Sequence, residues 1–137
     1  MTVVPFRLRI RVIRRAGNRC EYCGLSQAGQ EARFHIDHVI PITAGGATQF
    51  DNLALACVSC SLRKAARLSA ADPRSGLSAS IFNPRQDAWI RHFRWKGVIV
   101  LGRTATGRAT VEALQMNRPI ILAIRNEEIV RGRFPPP

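Results

Sequence analysis

Phe34-His35-Ile36-Asp37-His38-Val39-Ile40-Pro41, then Gly45-Gly46, then Asp51-Asn52-Leu53-Ala54-Leu55-Ala56-Cys57, lie between the knuckles Cys20-Glu21-Tyr22-Cys23 and Cys57-Val58-Ser59-Cys60. The stretch 34–40 is short and rich in β-formers, and Pro41 ends it. Gly45-Gly46 supplies a turn, 53–56 is a short apolar return strand, and 57–68 has helical composition with Lys and Arg toward its end. The predicted order is strand, loop, strand, helix. The two CxxC pairs, with 33 residues between Cys23 and Cys57, allow Cys20, Cys23, Cys57 and Cys60 to close a tetrahedron around zinc with no open position, a structural site. Zinc then pins the loop before the first strand to the start of the helix. The competing reading is four unligated thiols, and two pairs at one spacing argue against it.

Around this segment the chain has room for about one ordinary domain: it is 137 residues long. Its 21 Lys and Arg against 9 Asp and Glu give a formal charge of +12, which favours a polyanionic partner, nucleic acid first. An anionic membrane surface or simple solubility is the bland alternative. No apolar run is long enough to span a bilayer, and the opening MTVVPFRLRIRV lacks the unbroken apolar core of a secretory signal. A soluble, cytoplasmic protein is therefore expected, in a compartment where paired CxxC motifs bind metal rather than form disulfides. The sequence assigns no oligomeric state.

Residues 5–16 fit a strand by alternation of Phe6, Leu8, Ile10 and Val12 with arginines, and a helix by the spacing of Phe6, Ile10 and Ile13. Pro5 at the first turn and Gly17 just past the end favour helix. Its arginines read equally as a solvated face or a phosphate-contacting one. Residues 72–85, rich in Ser, Pro, Gly and Asn, read as a surface connection without a fold of its own. Beyond it 86–95 is amphipathic, 97–101 is β-prone, 106–116 reads as a capped helix, and 120–125 is too short to assign. Trp89, Phe93 and Trp95 interleave with Arg91, Arg94 and Lys96, and core packing is favoured over base stacking for the tryptophans. Residues 133–137, Arg-Phe-Pro-Pro-Pro, read as a frayed tail.

The Asp37-His38 pair, Pro41, Gly45-Gly46, Asn52-Leu53 and the run from Cys57 to Lys64 resemble the HNH endonuclease superfamily, and in particular a bacterial branch of stand-alone HNH proteins. Phe82-Asn83-Pro84-Arg85, Trp89, His92-Phe93-Arg94-Trp95, Thr106-Gly107-Arg108-Ala109-Thr110 and Met116-Asn117 resemble the C-terminal half of that branch, so the likeness covers about residues 5–118. It implies an α+β fold: a zinc-knuckled ββα-metal core with an N-terminal helix over 5–68, a mixed C-terminal extension over 69–134, and a tail over 135–137.

The chemistry has its own argument. Phosphodiester hydrolysis needs an activated water, neutralisation of charge on phosphate, and help for the departing oxygen. His38 is a competent general base near neutral pH, and Asp37 is a hard oxygen ligand for Mg²⁺ or Mn²⁺. The resemblance implies the same roles, with Asn52 orienting His38 through the loop backbone. Read singly, His38 is a structural histidine and Asn52 a turn residue. His35 alternates onto the side of Asp37 and is either a contact to phosphate or metal, or plain packing.

Ser61 departs from the pattern, since HNH proteins usually carry His or Asn there as the second metal ligand. A hydroxyl is a weak ligand for a hard cation, so Ser61 and His35 are tentative ligands only. Arg63, Lys64 and Arg67 either hold DNA phosphates or compensate the helix dipole. The expected activity is a metal-dependent endonuclease acting on DNA, with structural Zn and catalytic Mg or Mn. The alternative is a catalytically weak or inactive zinc-dependent nucleic-acid-binding module; a zinc-stabilised protein adaptor is a third class.

Overall fold

Apolar side chains at Leu8 and Val12 and a left-handed residue at Gly17 define the first element, α1 (Phe6–Arg15), in a computed structural model that describes residues 3–137. Pro5 stands at the N-cap, one position ahead of the expected first turn. At the other end Gly17 N–H donates to Arg14 O and Asn18 N–H to Ile13 O, the pair of bonds by which a left-handed residue closes a helix. Helix wins over strand because it turns Val12 fully inward with Leu8 and Ile13 half-buried, and sends Arg7, Arg11 and Arg14 to the exposed side.

The chain divides into two compact units, one of 3–66 with 83–86 and one of 67–82 with 87–137. In the first, β1 (His35–His38) pairs antiparallel with β2 (Leu53–Ala56), with His35 opposite Ala56 and Asp37 opposite Ala54. β2 is buried along its whole length, as its unbroken Leu-Ala-Leu-Ala sequence requires. Its outer edge is closed by charged side chains. Arg15 and Arg85 both donate to Leu53 O, Glu21 Oε2 accepts from Leu55 N–H, and Glu21 N–H donates to Leu55 O. Glu21 also pairs with Arg85, so the strand edge offers no bare ladder to another chain.

The loop between β1 and β2 turns at Gly46, where a Cβ would fall on Ile40 O and crowd Asn52 Nδ2. Helix α2 (Val58–Lys64) follows directly, with Cys57 at its N-cap. It is shorter than the expected 57–68. Ala65 sits at φ +50, and the chain after it enters a strand instead of a further helical turn. Good helix formers at 65–68 are overruled by this change of direction.

In the second unit the stretch expected to be featureless has structure. β3 (Ser69–Ala71) and β4 (Ser78–Ser80) form an antiparallel hairpin, and the buried carboxylate of Asp72 at its turn accepts two parallel bonds from Arg108, each 2.9 Å. Helix α3 (Trp89–His92) leads into the hairpin of β5 (Phe93–Lys96) and β6 (Ile99–Gly102). Helix α4 (Ala105–Ala113) is capped by Thr104, two residues ahead of the expected start, and ends early because Gln115 adopts φ +50. Trp89 packs 5.0 Å from Phe93 and 5.3 Å from Trp95; Phe93 is buried, while both tryptophans are only half-buried at the edge of this cluster rather than inside the core.

Helix α5 (Pro119–Val130) was not assigned from sequence. Its buried stripe is Ile121, Arg125 and Glu128. The Arg125 guanidinium donates to Val98 O, Asn117 Oδ1 and Met116 O, and Glu128 pairs with Arg133, so both charges are satisfied inside. Residues 133 and 134 are accordingly anchored rather than frayed, since Phe134 also meets Trp95 edge-on at 4.8 Å. The class is mixed α+β, as expected, and among the described residues no helix is long and apolar enough to cross a membrane.

Candidate active site

Four sulfurs come together first. The Sγ atoms of Cys20, Cys23, Cys57 and Cys60 all lie within 4.8 Å of one another, all four residues are buried, and none is in a disulfide. Each knuckle points its own amides at sulfur: Cys23 N–H approaches Cys20 Sγ at 3.5 Å and Cys60 N–H approaches Cys57 Sγ at 3.4 Å. Such bonds favour thiolate. The proximity itself opposes more than one ionisation: hydrogen bonding with Cys20 and the other thiols holds Cys57 far down, while hydrogen bonding to Cys20 first, and burial besides, pushes Cys23 and Cys60 well up. A divalent cation at the centre removes that opposition, and a buried set of four sulfurs without a carboxylate fits zinc and leaves no open position.

Strand β1 sends alternate side chains toward α2. His35 Nδ1 lies 2.9 Å from Ser61 Oγ, and two residues on, Asp37 Oδ2 lies 3.2 Å from Lys64 Nζ. The i, i+2 step of the strand thus runs beside the i, i+3 step of the helix. The structure brings His35 and Ser61, the two tentative ligands, into contact with each other.

Asp37 is 9 % exposed and its Oδ2 also accepts a 2.8 Å bond from the buried Tyr22 hydroxyl. Burial raises the Asp37 carboxyl above its ordinary range, and Lys64, the Tyr22 hydroxyl and His38 pull it back. The Tyr22 phenol is pushed well up by burial and by the Asp37 charge, so it stays a proton donor. Lys64 stands apart from the exposed basic residues with which the sequence groups it. It is 1 % exposed, and its ammonium bonds to Asp37 and to His38 O at 3.2 Å. Arg63 is exposed and reaches toward Ser59 Oγ at 3.4 Å. Arg67 lies beyond the end of α2, in the second unit, and donates to Ala113 O.

His38 is half-buried, and its Nε2 lies 2.9 Å from Thr48 Oγ1. Asn52 does not reach the imidazole. Its side chain accepts from Ile40 N–H at 2.9 Å and donates to Ile40 O and Ala47 O, while its own carbonyl accepts from Val39 N–H. It therefore fixes the backbone on either side of the loop that leaves His38. Sequence reasoning missed Thr48 and Tyr22. A threonine in a loop and a tyrosine inside a CxxC carry no local signal of what they face, and only the β1–β2 register brings them to His38 and Asp37. It also missed the support beneath Asn52. Arg15 Nη1 donates to Phe50 O at 2.6 Å, and the guanidiniums of Arg11 and Arg15 lie 4.2 and 3.9 Å from the Phe50 ring centre, two residues before Asn52.

No curated protein and no solved structure matches the chain. The family model described as HNH endonuclease matches residues 20–67, so the segment that holds all four cysteines, β1, β2 and α2 is an HNH domain.

Proposed function

We propose that the protein hydrolyses phosphodiester bonds in DNA, with His38 as general base and Asp37 as ligand to a divalent cation. The observation that carries this reading is the pairing of a half-exposed imidazole, tethered through one nitrogen only, with a carboxylate on the adjacent residue inside an HNH domain. With Nε2 engaged by the Thr48 hydroxyl, Nδ1 is the nitrogen left to accept a proton from water. The resulting hydroxide oxygen bonds to phosphorus, the bond from phosphorus to O3′ breaks, and the departing oxygen takes a proton from solvent. Asn52 and Thr48 hold the base; neither touches the reacting atoms.

The donor set of Asp37 with His35 and Ser61 fits Mg²⁺ or Mn²⁺, which commonly take one or two carboxylates and complete their shell with water and phosphate. When bound there, such a cation supplies charge neutralisation at the phosphate and the leaving oxygen. A zinc ion in the four-cysteine site would take no part in the reaction and would hold the knuckles to α2.

A specific observation favours a second reading, an inactive nucleic-acid-binding module: the Lys64 ammonium occupies Oδ2 of the carboxylate that a cation would need. Relaxation of supercoiled plasmid with added Mg²⁺ or Mn²⁺ separates the two. The enzyme reading expects nicking that His38→Ala lowers by about 10² to 10⁴ or more, with zinc content and DNA binding unchanged. Binding without nicking at any divalent concentration leaves the module reading standing, and an undiminished His38→Ala protein moves the base elsewhere.

A further inference from the structure

We propose that the exposed stripe of Arg7, Arg11 and Arg14 on α1 docks the phosphate backbone of duplex DNA, forming a binding surface separate from His38 and Asp37. The inference rests on the proposed reading that DNA is the substrate.

These residues recur at i, i+4 and i+7, so they share one face of α1, and all three are exposed, whereas Val12 on the opposite side is fully buried. The guanidiniums of Arg7 and Arg14 make no hydrogen bond or ion pair among the described residues. Arg11 lies over the Phe50 ring at 4.2 Å, an arrangement that engages the flat face of a guanidinium and leaves its N–H edge for an anion. The sequence holds no Asp or Glu before Glu21, so no acid on the helix offsets the stripe.

A face that is merely solvated mixes signs. Here like charges stand at helical neighbour spacing and Arg7 sits in the first turn, where a cation opposes the helix dipole; both weaken the helix. An external anion removes both defects. Arg7 to Arg14 spans about 10 Å at 1.5 Å per residue. Each strand of a duplex carries one phosphate per about 3.4 Å of axis, so a span of that length lies within reach of several phosphates. A membrane surface is the poorer match, because insertion needs an extended outward apolar face, and on α1 only Phe6 at its first turn is largely exposed while the side of Val12 is turned to β2 and the turn at 50–52.

The stripe is also tied to the site. Arg11 and Arg15 clasp Phe50, and Asn52, two residues on, fixes the backbone that follows His38. A duplex held on α1 is thereby held to the element that positions the base.

The test is fluorescence anisotropy of a labelled 25-base-pair duplex against the zinc-loaded full chain without Mg²⁺ or Mn²⁺, from about 0.05 to 0.5 M salt, so that failure to dock and failure to cut are read separately. Losing two phosphate contacts lowers the log-log salt slope by about 1.8 and weakens binding about 30-fold at 0.15 M salt. Arg7→Gln/Arg14→Gln is expected to show that loss with its zinc and circular dichroism intact, and Arg7→Lys/Arg14→Lys is expected to recover most of it. An unchanged slope overturns the proposal. So does an equal loss in Arg74→Gln/Arg131→Gln, which removes the same charge from the other unit, because bulk charge would then suffice. A wild-type chain that ignores the duplex but binds phosphatidylserine vesicles through the stripe overturns it in favour of a membrane.

Discussion

Replacing Lys64 by Met keeps the apolar stem and removes the ammonium from a pair that is almost wholly out of water, with the two side chains 2 % and 9 % exposed. The Asp37 carboxylate then keeps the Tyr22 hydroxyl as a donor but loses its counter-charge, and His38 O loses a donor. Stranding one member of a buried pair costs about 3–5 kcal/mol. The retained Tyr22 bond argues for the lower end, about 3 kcal/mol. Asp37→Asn/Lys64→Met, which strands no charge, is expected to recover at least half of that. The loss also has a pH signature. Burial already raises the Asp37 carboxyl, and Lys64 is the largest opposing influence, so the substitution raises it further. A carboxyl whose folded pKa lies above its unfolded one binds protons more tightly when folded, so its contribution falls as pH rises from the unfolded value through the folded one. The deficit of Lys64→Met is therefore expected to be largest at alkaline pH and to shrink as pH falls and Asp37 takes up a proton. Urea unfolding at fixed free zinc measures this as a difference between the two proteins, in which acid loss of zinc, common to both, cancels. A deficit below 1 kcal/mol, or one that is flat with pH, refutes the buried-pair account.

Two further outcomes follow from the same geometry. Cys57→Ser removes one of four sulfurs from a site whose metal supplies on the order of 10 kcal/mol, so the protein should be isolated without zinc and should lose the β1–β2 fold, as read by metal analysis and circular dichroism. Thr48→Val keeps the size of the side chain and deletes the partner of His38 Nε2; plasmid nicking should fall by about 10 to 100-fold with altered pH dependence, while urea stability moves by about 1 kcal/mol or less. A nicking rate that does not move removes Thr48 from the account of the base.

Local chemistry made one part of the molecule readable and tertiary burial hid another. Gly17, Pro41, the two CxxC pairs and the Leu-Ala-Leu-Ala run act within a few residues of themselves, and the elements they announce, α1, β1 and β2, are where the sequence expects them. Lys64 and α5 show the opposite case. A lysine near the end of a helix reads as solvated, and only the facing of β1 to α2 reveals that it balances Asp37. The buried stripe of α5 contains Arg125 and Glu128, so its hydrophobic period is interrupted where it matters, and the carbonyls and the arginine that satisfy them come from elsewhere in the unit. The hairpin of β3 and β4 was hidden in the same way, because the buried Asp72 that anchors its turn reads as one more polar loop residue until Arg108 is placed on it.

The placement of Lys64 bears on how a site of this kind would be assembled. Asp37 and Lys64 together carry no net charge, and His35 and Ser61, which bond to each other, add none while the imidazole is neutral. A set of side chains so balanced has little electrostatic pull on a hard cation, whose binding in such sites depends on the number of charged oxygens offered. The missing negative charge is present on the substrate, at about two phosphates per base pair. On the proposed function, cation and DNA therefore bind with strong mutual dependence, and by linkage each raises the affinity of the other by the same factor. On the proposed docking, the arginine stripe on α1 would act before that step: it would hold a duplex by charge and fix it to the turn that carries Asn52, whose side chain bonds to Ile40 O. On that proposal, an enzyme built this way would cut only where DNA is already docked, its arginines serving the proposed cation site without touching it.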